Sequence, residues 1–274
     1  MIVHAHPDDE SSQTGGTLAR YAAAGCRTVL VTCTDGAQGD AIGGGAKPGM
    51  AGHDPREVAA HRAAELDAAA KALGVHDVVK LGYPDSGVSE DGVVAADSFS
   101  ARPIVPLVHR MVLLMRMYEP DVVITYPPNG ISGHPDHVRT HDVVALAHEN
   151  VVANGESVSR VPRLYHIAMS VSRLRDAQAA LRASFGDDAW VPPDGMGIDD
   201  ALITTAIDVA PFWAAKLAAL GAHASQPDAA MLLQLLSAAD DFGAASARVE
   251  EYVRVYPPAT GSAPVESDFF AAAT

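Results

Sequence analysis

Short runs rich in β-branched residues alternate along this chain with longer stretches of helical spacing, and that alternation leaves few folds open. The runs are IVHA (2–5), RTVLVTCT (27–34), DVVKLG (77–82), DVVITY (121–126) and LYHIAMS (164–170); helical patterns lie near 14–24, 55–74, 101–118 and 137–152. Each short run is continuously apolar, as a parallel strand covered on both faces requires. Alternation of this kind builds an α/β fold, a doubly wound, Rossmann-like and mostly parallel sheet. Beyond residue 171 the pattern becomes mostly helical, with VAPFWAAKLAALGAH and MLLQLLSAADDF as the clearest apolar stripes. No Ser/Gly/Pro linker divides the 274 residues. The expectation is a single domain over 1–274, with an α/β core over 1–170 and a helical C-terminal elaboration over 171–274.

Charge narrows the function. The formal net charge is −15, and no basic cluster offsets it locally, so nucleic acid and anionic membrane are excluded as partners. A small neutral or cationic substrate suits such a surface. Cys26 and Cys33 form no CxxC pair and read as small buried hydrophobes in a reducing compartment. No secretory signal precedes the first strand, and no apolar run approaches the ~18 residues of a membrane span. A cytoplasmic protein is expected; the sequence is silent on its oligomeric state.

The chemistry lies in two short loops, HPDDE at 6–10 and HPDH at 134–137. In a doubly wound sheet, ligands sit beyond the carboxyl ends of the strands where strand order reverses, commonly between the first and fourth strands. The first motif follows strand one and the second follows strand four, so both fall at the same end of neighbouring strands. Each histidine precedes a proline and is held extended, while the proline suits the start of a turn or helix. Two imidazoles and a carboxylate with an open fourth position make a hydrolytic zinc site. HPDD offers one carboxylate for a metal and a spare that can act as general base. HPDH offers one histidine for the metal and a spare, with Asp136 available to orient the spare imidazole or keep it protonated. The spacing alone therefore reads as a mononuclear metal hydrolase.

AHPDDE (5–10) together with GHPDHVRTH (133–141) resembles the LmbE-like, or PIG-L, zinc-dependent N-deacetylases. That family includes the mycothiol-pathway deacetylase and S-conjugate amidase, N-acetylglucosaminyl-phosphatidylinositol de-N-acetylases and deacetylases of antibiotic biosynthesis. The resemblance covers most of the first 150 residues and continues more weakly through RAAELDAAAKALGV (62–75), GYPDSG (82–87), TYPPNG (125–130) and 216–226. It implies one Zn2+ per chain, held by His6, Asp9 and His137. It makes Asp8 the general base and His134, paired with Asp136, the group that steadies the oxyanion and can protonate the departing amine. Arg62 and Asp85 match positions that contact sugar hydroxyls. One departure stands out: where mycothiol-pathway enzymes carry a tyrosine that helps hold the oxyanion, this chain has Ser132. Tyr126 and Tyr83 are the candidates to replace it.

The expected function is removal of an N-acetyl or larger N-acyl group from a glucosamine-type conjugate, with a mycothiol S-conjugate-type amidase as the alternative. A metallo-phosphoesterase would need more basic residues, and a non-catalytic sugar-binding module leaves the spare carboxylate Asp8 unexplained. The Gly-rich stretch 36–55 lacks the Lys-Ser/Thr ending of a phosphate loop. It and the stretch 185–200 read as loops that choose the aglycone, where Trp190 and Met196 can stack against an apolar group. His4 is expected near the site without binding metal, and His141 and His223 as supporting or surface residues. Glu10, Asp35 and Asp40 are further candidates to face or brace the cleft.

Overall fold

The computed structural model describes residues 1–41, 46–88, 94–154, 160–186, 195–238, 248–259 and 265–270. Its centre is a seven-stranded sheet of order β3-β2-β1-β4-β5-β7-β6, built from β1 (Ile2–His4), β2 (Val29–Thr34), β3 (Asp77–Tyr83), β4 (Val122–Thr125), β5 (Arg163–Ala168), β6 (Thr205–Asp208) and β7 (Val249–Tyr256). The first five strands are parallel; β7 runs antiparallel to both β5 and β6. Helices α1 (Asp9–Ala23), α2 (Pro55–Ala72), α3 (Ile104–Tyr118) and α4 (Pro135–Ala153) follow the first four strands. Later come α5 (Val171–Phe185), α6 (Trp213–Ala222) and α7 (Pro227–Ala238).

Period-two alternation sends neighbouring strand residues to opposite faces. Ile2 and Ile124 join one buried cluster with Leu18, Trp213 and Tyr252, while Val3 and Val123 join another with Met111, Met115 and Val144. Both faces are covered, which is why the strands read as unbroken apolar runs.

The structure differs from the sequence reading in two places. Helix α1 begins at Asp9, five residues earlier than its apolar spacing shows, because Asp9 and Glu10 occupy its first turn, where acidic side chains suit the positive end of a helix. The C-terminal elaboration is also less helical than expected: β6 and β7 extend the sheet. Glutamates disguise β7. Glu250 and Glu251 are buried in it and neutralised by specific partners, Lys216 for Glu250 and Arg173 for Glu251. Among the described residues no helix is long and apolar enough to cross a membrane, and Cys26 and Cys33 are unbridged.

Helix α1 is pinned to this second half through Gly16. A Cβ there would lie 2.4 Å from Cβ of Val209, and the Gly16 N–H donates to Glu250 Oε1 at 3.0 Å. Alanine would gain about 1 kcal/mol of helix propensity, but overpacking costs about 1–3 kcal/mol. Gly16→Ala is therefore expected to lower unfolding free energy by up to about 2 kcal/mol in urea titration; a stabilised protein would show that α1 and Val209 do not press together.

Candidate metal and catalytic site

Strands β1 and β4 are neighbours, with Ile2 opposite Ile124, so the two His-Pro loops leave the sheet side by side. In the first, the His6 N–H donates to Asp9 Oδ2 at 2.8 Å, closing the turn that starts α1. Asp8 sits in that turn with φ of 115°, a left-handed conformation that is strained for a residue with a side chain. In the second, His134 caps α4: its Nδ1 accepts the Asp136 N–H at 3.2 Å, with Pro135 at the first helical position.

Three polar atoms converge. His6 Nδ1 lies 3.2 Å from His137 Nε2; Asp9 Oδ2 lies 3.4 Å from the first and 3.5 Å from the second. Ligands about 2.0–2.1 Å from a tetrahedral zinc stand about 3.3 Å apart, so this donor set fits one ion. The opposite ring nitrogens are occupied: His137 Nδ1 faces the Gly130 carbonyl at 3.1 Å, and His6 Nε2 faces Asp136 Oδ2 at 3.2 Å. A proton on each of those nitrogens leaves the converging ones free to bind metal. His134 is also close, with a ring nitrogen within 4.8 Å of those of His6 and His137, and it lines the cleft together with His6.

Asp9 itself is held by a hydrogen-bond network that joins Tyr126, His4, Thr14 and Gln13. Tyr126, fully buried and stacked on the His137 ring at 4.3 Å, donates its hydroxyl to Asp9 Oδ2 at 2.7 Å. That hydroxyl accepts the Ala5 N–H at 2.9 Å and meets His4 Nδ1 at 3.2 Å, while His4 Nε2 meets the Thr14 hydroxyl at 2.8 Å. Gln13 donates to Asp9 Oδ1 at 2.9 Å. His4 thus braces the site through Tyr126 and faces no ion. Tyr126 cannot stand in for the missing tyrosine, because its hydroxyl is spent on Asp9. Tyr83 cannot either: it stacks on Phe99 and accepts from Arg110. Ser132 is exposed and lies outside the cleft lining.

Asp8 and Asp85 line a polar cleft of about 900 Å³ with Arg62, His134, Asp40 and Gln226. Arg62 is a buried clamp rather than a solvated helix residue. Its Nη2 donates to Asp8 Oδ2 at 2.8 Å and to the Pro7 carbonyl at 2.6 Å, and Nη1 donates to the Gly36 carbonyl at 2.7 Å. Burial pushes the Asp8 carboxyl up to about 6, against the pull of Arg62. Asp85 Oδ1 accepts the Gly87 N–H at 2.9 Å and lies 3.5 Å from His6 Nε2. Asp35 accepts the Asp85 N–H at 3.1 Å and shapes the same loop. Glu10 braces from below, bonding the Asp8 N–H at 3.0 Å and the buried His223 at 2.7 Å.

The pairing expected between the Asp136 carboxylate and His134 is not present. That carboxylate, fully buried, serves His6 and Ser86, while His134 Nδ1 accepts the Asp136 backbone N–H. Burial, with His6 and His137 nearby, lowers His134 to about 4. His134 is then neutral near pH 7, and because Nδ1 accepts, its proton sits on Nε2. Trp190 lies outside the described residues. Met196 lines a separate apolar cavity of about 330 Å³ beside Trp213 and Leu236, not the cleft. His141 bonds the Tyr126 carbonyl through Nδ1 at 2.9 Å and supports β4.

Burial disfavours a proton on His6, yet Asp85, Asp136 and Asp9 outweigh it and hold this imidazole well above its ordinary value of 6.5. Metal binding must displace that proton. The apparent zinc affinity is expected to tighten as pH rises through and beyond 6.5, as measured by chelator competition between pH 6 and 9; an affinity flat across that range would contradict the ligand role of His6.

The comparisons with known proteins come down on one family. Residues 1–148 match the profile described as PIG-L, GlcNAc-PI de-N-acetylase. A 1D-myo-inositol 2-acetamido-2-deoxy-alpha-D-glucopyranoside deacetylase from Thermobispora bispora is 39% identical, over 82% of this chain and 78% of its own length. Among solved structures, the 4-carboxy-2-hydroxymuconate hydratase GalB of Pseudomonas putida superposes with a TM-score of 0.60 at 20% identity, covering 96% of this chain and 98% of its own. A deacetylase of teicoplanin biosynthesis gives 0.57 at 19%, covering 92% and 95%. Structural likeness at this identity shows the fold alone. The profile match over more than half of the chain and the 39% relative decide the assignment: this chain is a member of the PIG-L, or LmbE-like, family.

Proposed function

We propose that this protein is an amide hydrolase that uses one Zn2+ to remove an N-acetyl group, or a larger N-acyl group, from a glucosamine-type conjugate. The observation that carries the reading is the converging trio His6, Asp9 and His137 with a second carboxylate, Asp8, outside the trio and lining the cleft beside it. The fold by itself does not choose the reaction, since a hydratase shares it. The 39% relative is named for a 2-acetamido sugar joined to myo-inositol, which makes that compound the first substrate to try. A mycothiol S-conjugate-type amidase is the alternative within the same chemistry.

A zinc ion held by the trio would polarise the amide carbonyl and favour attack by water. The remaining steps belong to side chains. Arg62 fixes one oxygen of Asp8 at 2.8 Å, aiming the carboxylate into the cleft. With its carboxyl raised to about 6, Asp8 takes a proton from the attacking water and can return it to the departing amine. His134, neutral with its proton on Nε2, donates a hydrogen bond to the oxyanion; it is a donor rather than the protonated acid that pairing with Asp136 would have made it. Asp85 and Asp40 line the polar side, where sugar hydroxyls would bind.

The free cysteines support a reducing, cytoplasmic setting, and the net charge of −15 supports a small uncharged or cationic substrate over nucleic acid or anionic membrane. The test is release of free amine from 1D-myo-inositol 2-acetamido-2-deoxy-alpha-D-glucopyranoside and from other N-acetylglucosamine conjugates, with Asp8→Asn alongside. The variant is expected to keep one zinc per chain while its rate falls by about 10²–10⁴-fold. Full activity in metal-loaded Asp8→Asn, or no amine from any conjugate with the wild-type protein, would defeat the reading.

A further inference from the structure

His6 Nε2 carries one hydrogen but has two carboxylates in reach, Asp136 Oδ2 at 3.2 Å and Asp85 Oδ1 at 3.5 Å. The winner fixes the tilt of the ring and with it the direction of Nδ1. Ser86 decides the contest. Its backbone N–H donates to Asp136 Oδ2 at 2.9 Å and its hydroxyl to Asp136 Oδ1 at 2.5 Å. Both oxygens of Asp136 are thereby aligned from one residue.

Ser86 is fastened in turn. Its only hydroxyl hydrogen goes to Asp136, so in the 2.6 Å contact between the Ser86 and Ser100 hydroxyls the donor is Ser100. The Ser100 N–H also points at Ser86 Oγ, at 3.2 Å. The Ser100 carbonyl accepts Arg139 Nε at 2.9 Å, and Arg139 lies on α4 one turn beyond Asp136. A closed ring of hydrogen bonds thus runs from α4 through Ser86 and Ser100 back to α4. Ser86 also borders the cleft, so one residue touches the substrate space and, through a single carboxylate, a metal-facing histidine.

We propose that Ser86 is a positioning residue for the metal centre: it holds Asp136 on His6 Nε2, so that Nδ1 is presented to the ion and Asp85 is left free to face the cleft. This rests on the metal reading given above for His6, and its test is independent of any substrate. Loss of an outer partner of a metal-bound histidine commonly costs about 10–100-fold in metal affinity. Ser86→Ala removes the hydroxyl donor to Oδ1 and keeps the backbone N–H on Oδ2, so it is expected to weaken zinc binding by the lower end of that range, about tenfold, in chelator competition and to shift the visible bands of the Co2+-loaded protein. Ser86→Thr, which keeps the hydroxyl, is expected to restore both. In an Asp136→Asn background, Ser86→Ala should add little further loss, because the two residues act as one unit.

Ser98→Ala provides the control. Ser98 lies two residues before Ser100 and donates to the Ala95 carbonyl at 2.6 Å rather than to Asp136. It is expected to bind zinc within about twofold of wild type. Wild-type zinc affinity and an unshifted Co2+ spectrum in Ser86→Ala would overturn the proposal, as would an equal loss in Ser98→Ala. A wild-type chain that binds no zinc would overturn the metal reading as well, whereas intact wild-type binding with an unaffected Ser86→Ala would overturn this inference alone.

Discussion

Parallel pairing of β1 with β4 is the constraint on which the site depends. It is a slender contact, registered as Ile2 against Ile124, yet it brings the carboxyl ends of two strands separated by more than a hundred residues side by side in the middle of the sheet. Each strand then ends in a His-Pro step, where the proline keeps the histidine extended and starts a helix within a residue or two. The helices α1 and α4 carry Asp9 and His137 in their first turns. Two of the converging donors therefore sit on rigid helix starts, and the third, His6, lies in a short turn tied to Asp9 through its own N–H, which is how a metal site keeps its geometry.

Around that trio lies a shell of polar groups, each bonded to one of the three converging residues. Tyr126 and Gln13 hold the two oxygens of Asp9, Asp136 holds His6, and the Gly130 carbonyl holds His137. A shell of this kind sets ring tautomers and limits the rotation of the ligands before any ion arrives. Asp8 is treated differently. Strained in backbone, partly open to the cleft and gripped by Arg62 on one oxygen, it is the one acid of the first motif left for chemistry. Its elevated carboxyl, near 6, can both accept and release a proton near neutral pH. The lowered His134 cannot act as an acid there, and this division of labour follows from surroundings rather than from residue type.

Much of this was legible in the sequence, because it is written in local patterns. Unbroken apolar strands gave the doubly wound sheet, and the two His-Pro-Asp steps marked the residues that the fold then brings together. What could not be read depends on pairings distant in the chain. Tyr126 looked like the last residue of a strand; only its position beneath Asp9, 117 residues away, makes it a brace. Asp136 is two residues from His134 in sequence, but helix geometry turns its carboxylate toward His6 and Ser86. Strand β7 was hidden by Glu250 and Glu251, whose burial makes sense only beside Lys216, Arg173 and the α1 backbone. Arg62 was marked by the resemblance as a sugar contact, but nothing nearby in sequence betrays that its guanidinium is bound to Asp8, Pro7 and Gly36.

The central claim is that His6, Asp9 and His137 surround one ion, and X-ray absorption at the zinc edge tests it directly on protein loaded with a single equivalent. The account predicts a first shell of nitrogen and oxygen at about 2.0–2.2 Å, with the multiple-scattering signature of two imidazoles, reduced to one when His137 is replaced by alanine. A shell without imidazole scattering, or one that the His137 replacement leaves unchanged, would contradict it.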